Sequence, residues 1–213
     1  MGFLKGGPYY HLVGRTGNNV GRVVKGKNVF AMRPAKSSKL PTQALLDQRF
    51  KFGLITNWLR RLAGVIDVGF KDYDSEMSPR NAAISYNLQN AVIGVSPNYT
   101  IDYEKVVYSR GLLDVAYNPL IAVTAAARLD YTWGAPTGDT NATGPDKATF
   151  VVYNESKNKF VTLKGVILRS ALGYNLLLPA DWSGDTVVAY LSFVSADGKL
   201  VSDSHYVGQF IVL

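Results

Sequence analysis

Apolar residues recur every three to four positions along residues 41–70, the longest stretch of the chain with a helical period. Polar and charged residues fill the intervening positions, and Thr42 has a hydroxyl that can cap the first turn. The apolar stripe consists of Leu45, Leu46, Phe50, Leu54, Ile55, Trp58, Leu59, Leu62 and Ile66. The pattern predicts one amphipathic helix that needs a packing partner and is too polar to span a membrane.

A second helical pattern follows a short loop. Ser78 can act as an N-cap, Pro79 suits the first helical position, and Gly94 is typical of a helix end. Two amphipathic helices joined by a loop favour an antiparallel pair.

Alternating patterns precede and follow these helices. Residues 9–14, 20–25 and 29–32 read as a short meander with turns at 15–19 and 26–28. After residue 99 the period is two, and about seven short strands are separated by turn sequences, which is typical of an antiparallel sandwich. The predicted strands are 100–110, 121–133, 147–154, 159–164, 166–170, 174–178, 186–195 and 201–213.

The expected fold class is therefore α+β, with two modules. Residues 1–98 form a basic N-terminal module of strands plus two helices. Residues 99–213 form an immunoglobulin/fibronectin-III-like antiparallel β-sandwich, with Trp133 as the core indole.

The amino-acid composition limits the kinds of catalytic and metal-binding site that the chain can form. The 213 residues are 47% hydrophobic and 18% charged, which suits a packed core. With no Cys and two His, the chain has no disulfide, no thiolate nucleophile and few ligands for a transition metal. We expect no cofactor, no metal and no enzymatic activity.

Charge is distributed unevenly along the chain. Residues 1–71 hold 13 Lys and Arg against two Asp, whereas residues 72–213 hold 10 basic and 14 acidic residues. This asymmetry suits nucleic-acid binding, an anionic surface, or head-to-tail contact between copies. The first residues do not resemble a secretory signal, so we expect cytoplasmic synthesis, with release or incorporation into a particle left open.

Seven segments resemble a known family: GRTGNNVGRVVKGK, PTQALLDQRFKFG, NAAISYNLQNAV, IDYEKVVYSRG, DKATFVVYN, LPADWSGDTV and YLSFVSADGKLVS. In order, they cover nearly the whole chain. They are similar to an uncharacterised family of small basic proteins, mostly from Bacteroidota, that carries a domain of unknown function. The resemblance implies no activity and no catalytic residue.

The first candidate site is the set of basic residues in the front half. They are interleaved with Tyr9, Tyr10 and Phe30, and fit either a nucleic-acid groove or a face that meets a neighbouring copy. The set is Lys25, Lys27, Arg33, Lys36, Lys39, Arg49, Arg60 and Arg61.

Three other patterns favour structural roles. The glycine-rich segment 14–27 lacks the ending of a phosphate loop and reads as a hairpin. Asp72, Asp74 and Glu76 lack a full calcium-loop pattern and read as a solvated loop. Asp181 and Asp185 flank Trp182, and we interpret that turn as covering a core edge rather than as a carboxylate pair or a sugar-stacking site.

The leading hypothesis is a non-enzymatic structural or adaptor protein that self-assembles or docks a protein partner, such as a virion-like component or an extracellular filament subunit. The alternative is a nucleic-acid-binding protein that uses the basic half. An apolar carboxyl terminus also suggests strand exchange between copies. Its residues are Phe210, Ile211, Val212 and Leu213.

Overall fold

The computed structural model describes residues 2–24, 26–35, 38–73, 77–138 and 140–213. The chain divides into two compact units, residues 1–42 and residues 43–213. We call them the N-terminal unit and the main unit.

The N-terminal unit is a four-stranded antiparallel sheet. Its strands are β1 (Gly2–Leu4), β2 (Gly14–Thr16), β3 (Asn19–Val24) and β4 (Lys27–Met32), in the order β1-β4-β3-β2. Thr16 pairs with Asn19, so a two-residue turn joins β2 to β3, with Gly17 at a φ of 57°. The pairing of β2 with β3 confirms the hairpin predicted for this segment. A strand, β4, follows β3 where a phosphate loop would be followed by a helix.

The predicted strand at 9–14 is wrong over most of its length. Residues 8–11 form a turn, in which the Leu12 amide donates to the Tyr9 carbonyl at 3.1 Å. His11 has a φ of 68°, a left-handed conformation that breaks an extended strand. The Tyr9 ring instead stacks on Phe30 of β4, with centroids 5.9 Å apart.

Three helices open the main unit: α1 (Gln43–Arg60), α2 (Ala63–Gly69) and α3 (Pro79–Asn90). The single helix predicted over 41–70 is broken at residues 61–62, where the Leu62 amide donates to the Leu59 carbonyl, three residues back. Ser78 caps α3 as predicted and accepts from the Asn81 amide. Across the described residues, no helix has the length and apolarity needed to cross a membrane.

Nine strands follow α3 in the main unit. They are β5 (Val92–Val95), β6 (Asn98–Ile101), β7 (Tyr117–Ala122), β8 (Arg128–Gly134), β9 (Lys147–Asn154), β10 (Lys159–Leu168), β11 (Gly173–Leu177), β12 (Thr186–Val194) and β13 (His205–Ile211). All pairings between them are antiparallel, in sheets ordered β10-β9-β12-β13, β11-β8-β7 and β5-β6. The predicted mixture of helices and antiparallel sheets is confirmed.

The four-stranded sheet is the middle layer of the main unit. Val151, Tyr153, Val188 and Tyr190 on one face share a core with the three helices, including Ile55 of α1. The alternate residues of the same strands share a second core with the three-stranded sheet, and Trp133 lies there as predicted. Strands β9 and β12 are buried on both faces, which explains their nearly continuous apolar sequences.

The compact units do not follow the boundary predicted from sequence. A division between residues 98 and 99 falls inside β6, which pairs with β5 just after α3. The helices also share a core with β9 and β12. The main unit therefore groups the helices with the later strands, and the basic meander belongs to the N-terminal unit.

Candidate functional site

The predicted basic set is divided between the two units. Lys25 and Lys36 lie outside the described residues. Lys27, Arg33 and Lys39 belong to the N-terminal unit, where all three are exposed. The other three, Arg49, Arg60 and Arg61, belong to α1 and the turn after it.

The basic residues of α1 point in two directions. Arg49 and Arg60 are eleven residues apart, about three helical turns, and therefore share one exposed face. Arg61 faces a cleft instead, where its guanidinium donates to the Asn158 side-chain oxygen at 2.7 Å and to the Asn158 carbonyl. Among the predicted basic residues that the structure describes, Arg61 is the one that lines this cleft.

This α1–β6 cleft has a volume of about 380 Å³, within the roughly 300–1,000 Å³ typical of small-ligand sites. One wall comes from α1 and the residue after it, and the opposite wall from β6 and the turn that follows. The end of β9 and the β9–β10 turn close it. The lining residues are Leu54, Asn57, Trp58, Arg61, Tyr99, Thr100, Ile101, Tyr103, Tyr153, Glu155 and Asn158.

Aromatic rings form the apolar part of the cleft. Trp58 is buried, with its ring centroid 5.6 Å from that of Tyr153 and 6.4 Å from that of Tyr103. Its indole Nε1 is buried and has no hydrogen-bond partner among the described residues. Burial raises the pKa of Tyr103 and of Tyr153 above the usual value for a phenol, so both hydroxyls are neutral donors at physiological pH.

A chain of hydrogen bonds links the polar residues. The Tyr153 hydroxyl donates to the Asn158 side-chain oxygen at 3.2 Å, the same atom that accepts from Arg61. The Tyr103 ring lies beside the Tyr153 ring, with centroids 5.4 Å apart, and Glu155 belongs to the same lining. Amide, phenol, guanidinium and carboxylate groups therefore surround the rings, and Glu155 supplies the carboxylate of the lining.

Polar contacts hold the β5–β6 hairpin against α1 and so fix the outer wall. The Ser96 hydroxyl donates to Asp47 at 2.7 Å, and the Gln43 amide donates to the same carboxylate at 2.8 Å. The Ser96 hydrogen bond is the main reason that the pKa of Asp47 is lowered. Further along α1, the Lys51 ammonium lies 4.6 Å from the Tyr99 ring centroid.

An open groove of about 700 Å³ borders the cleft and shares Arg61 and Asn158 with it. There the Lys157 ammonium lies 3.2 Å from the Asp181 carboxylate and 3.1 Å from that of Asp185. The Asn154 amide donates to Asp185 at 2.8 Å and is the main reason that the pKa of this carboxyl is lowered. The two carboxylates are therefore engaged in a structural ion cluster.

Two other predictions concerned acidic residues. Trp182 is 1% exposed and lies in the core between the sheets, which confirms that its turn covers a core edge. Asp72 lies 3.5 Å from the Lys71 ammonium, whereas Asp74 and Glu76 are outside the described residues. The part of the chain that the structure describes contains no group of three or more His, Asp or Glu arranged to hold a metal.

The apolar carboxyl terminus lies on the sheet of its own chain. Phe210 and Ile211 belong to β13 and pair with Val187 and Thr186 of β12. Val212 is 1% exposed, and the Leu213 carbonyl accepts from the Ala127 amide at 2.8 Å. Exchange of this strand between copies remains a prediction.

The sequence analysis missed most of the cleft. Tyr99, Tyr103, Glu155 and Asn158 come from two segments about fifty residues apart, and α1 supplies the third. In the sequence, the only sign of the cleft was the pair Tyr99 and Tyr103, which follow the second predicted helix. Aromatic residues near a strand end pack in a core more often than they line a binding site.

A family model described as a family of unknown function (DUF6266) matches residues 11–208. The chain belongs to this family. The match includes most of the N-terminal unit and almost all of the main unit, so DUF6266 covers both parts of the fold. No curated protein matches the chain.

Proposed function

We propose that this DUF6266 protein is a non-enzymatic structural subunit or adaptor that assembles with other copies of itself through its N-terminal unit. The observation that carries the proposal is the poor apolar burial in that unit. Among its described residues, Val29 is the one buried large apolar side chain. The exposed ones are Phe3, Tyr9, Tyr10, Val13, Val23, Val24, Met32 and Leu40.

A small sheet of this kind gains little stability by itself. Strands become stable when an apolar face is covered, and a sheet with free edges offers unpaired backbone groups to another chain. Strand β1 is one edge of the N-terminal sheet and β2 is the other, at three residues each. A partner surface that covers the exposed apolar side chains and pairs with β1 or β2 would stabilise the sheet in both ways.

Charge favours another copy as the partner. Residues 1–42 contain eight Lys and Arg and no Asp or Glu, whereas residues 43–213 contain 15 basic and 16 acidic residues. Contact between the N-terminal unit of one copy and the main unit of the next joins a cationic surface to a nearly neutral, acid-containing one. Such head-to-tail contacts build rings or filaments. A virion-like component or an extracellular filament subunit is the concrete form we propose.

We also infer that β7–β13 form an immunoglobulin/fibronectin-III-like sandwich. Numbered from β7, the two sheets have the orders 1-2-5 and 4-3-6-7, which correspond to strands ABE and C′CFG of that fold. Domains of this class commonly present surfaces to partners, which suits a subunit. The sequence resemblance carries the further expectation that the family consists of small basic proteins, mostly from Bacteroidota.

Sedimentation velocity over a range of protein concentrations tests the assembly proposal. We expect the wild-type chain to associate, and the double variant Phe3→Ser, Met32→Ser to shift toward monomer with an unchanged melting temperature. Leu177→Ser is the matched control, since Leu177 is 72% exposed on β11 of the main unit and Met32 is 75% exposed. A wild-type chain that stays monomeric at all concentrations contradicts the proposal.

Nucleic-acid binding is the second candidate, and the absence of Asp and Glu from residues 1–42 favours it. Fluorescence anisotropy with a generic single-stranded oligonucleotide should then show an affinity that falls steeply with salt. Reversing charge at Lys27 and Arg33 should weaken binding more than the same change at Arg49 and Arg60. An affinity that salt does not change would contradict this candidate.

A further inference from the structure

The α1–β6 cleft is not used by the assembly proposal, which rests on the N-terminal unit. Its walls come from α1, β6 and the end of β9, all within the main unit. The hairpin wall is held by the Ser96–Asp47 hydrogen bond of 2.7 Å, so the opening is built into the fold. A preformed concave site with aromatic walls and a few polar groups is the usual form of a small-ligand site.

Two kinds of surface are available to a ligand inside the cleft. Tyr99 and Tyr103 are half-buried, so part of each ring faces the opening. Asn57 on α1 and Glu155 just after β9 are both exposed, and their amide and carboxylate groups can form hydrogen bonds with a ligand. Trp58 also lines the cleft, and its ring is buried beside those of Tyr103 and Tyr153.

The described lining of the cleft carries charges of both signs. The Arg61 guanidinium is engaged by Asn158, and the Lys51 ammonium lies over the Tyr99 ring. Among the described residues that line the cleft, Glu155 is the one acidic side chain. An anionic ligand would meet this carboxylate, and a cationic ligand would meet Arg61. A neutral ligand avoids both conflicts.

From this combination we propose that the α1–β6 cleft binds a neutral saccharide. The apolar faces of a sugar ring would pack against Tyr99 and Tyr103. Its hydroxyls, which both donate and accept, would bond to Asn57, Glu155 and Arg61. Glycoside hydrolysis generally requires a pair of carboxylates flanking the bond, and Glu155 is the single carboxylate among the described lining residues, so we assign binding to this cleft.

The test is saturation-transfer difference NMR on the full-length chain with a panel of neutral oligosaccharides: cellotriose, maltotriose, chitotriose and mannotriose. We expect transfer to at least one of them. Asn57→Ala and Glu155→Gln should each weaken its binding by about three- to tenfold, the effect of one lost hydrogen bond. Tyr99→Ala should abolish transfer to the hydrogens on the ring face.

Matched controls lie on the three-stranded sheet of the same unit. Asn175→Ala on β11 and Tyr117→Ala on β7 replace exposed residues of the same types and should leave binding unchanged. Circular dichroism confirms that each variant is folded. The proposal is overturned by the absence of transfer to every sugar, by transfer that the cleft variants do not alter, or by binding of a tyrosine-containing peptide in place of sugars. None of these outcomes depends on the oligomeric state, so the assembly proposal is tested separately.

Discussion

The N-terminal unit and the main unit differ most in what they bury. The main unit has two apolar clusters, one on each face of the β10-β9-β12-β13 sheet. The N-terminal unit has a sheet with the same number of strands, and Val29 is its one large apolar side chain that is buried among the described residues. A sheet is stabilised by the layers that cover its faces. We therefore expect the N-terminal sheet to be less stable than the main unit's sheet, although both have four strands.

The two units also differ in how they compensate charge. In the main unit the buried Arg169 guanidinium lies 3.0 Å from the Asp146 carboxylate and also donates to the Val115 and Asp114 carbonyls. A buried cation is tolerated here because it is paired with a carboxylate and each of its three nitrogens donates to an acceptor. Residues 1–42 contain no Asp or Glu, so the cations there have no carboxylate side chain within their own unit. The main unit therefore supplies carboxylates for its own buried cation, whereas the N-terminal unit contains none.

The largest expected effect comes from cutting the chain. A fragment of residues 43–213 should melt cooperatively, because it contains both cores. A fragment of residues 99–213 should lose cooperative folding, because it exposes the face with Val151, Tyr153 and Tyr190 that the helices cover. Circular dichroism and thermal melting compare the two. Cooperative melting of the shorter fragment would instead support the boundary predicted between residues 98 and 99.

A matched pair of substitutions compares the units directly. Phe150 is fully buried on β9, and Phe150→Ala should cost about 3–5 kcal/mol in the free energy of unfolding. Phe3 is 61% exposed on β1, and Phe3→Ala should change it by less than about 0.5 kcal/mol. Urea denaturation of both full-length variants gives the two values. A similar cost at both positions would show that the N-terminal unit has a core that the exposure of its side chains does not reveal.

Sequence patterns predicted the strongly periodic elements well. The bounds of β9 match the predicted strand at 147–154, because a long apolar run ends at Asn154 and a turn follows. One strand predicted over 121–133 is instead the hairpin of β7 and β8, since Ala127 has a φ of 51° and reverses the chain. Turns with a positive φ are usually recognised in a sequence by Gly, Asn or Asp at that position. An alanine gives no such sign, so this turn could not be predicted.

The candidate site was much less predictable than the fold. Arg61 was identified from charge, but its partner Asn158 lies 97 residues away in the β9–β10 turn. The cleft exists because α1 packs on the β10-β9-β12-β13 sheet while the β5–β6 hairpin packs on α1. Such juxtapositions depend on tertiary packing, and a single sequence carries no direct record of them.

A third prediction concerns the carboxyl terminus, which belongs to the well-packed unit. Deleting residues 209–213 removes the buried Val212 and the pairing of Phe210 with Val187. We expect a loss of about 2–4 kcal/mol in stability, since one large side chain and part of another become unavailable for burial. Sedimentation should show no change in association. Lost association with an unchanged melting temperature would favour strand exchange between copies.

The smallest effect is a pH dependence that should differ between the two units. His205 lies on β13 opposite Leu191, and its partial burial lowers its pKa below the usual value of 6.5. In the unfolded chain this histidine binds a proton at a higher pH than it does in the folded protein. Between the two pKa values the unfolded state therefore holds more protons, and stability falls as pH decreases through this range. Above about pH 7 the contribution should be constant.

Melting temperatures measured from pH 8 down to about pH 5 should show this decline in the wild type, and His205→Gln should reduce it. The matched variant is His11→Gln, because His11 is the only other histidine and is exposed in the N-terminal unit. We expect that variant to keep the wild-type slope, since His11 lies outside both apolar cores of the main unit. If His11→Gln flattens the slope as much as His205→Gln does, the N-terminal unit contributes to stability in the same way as the main unit, and the contrast between them fails.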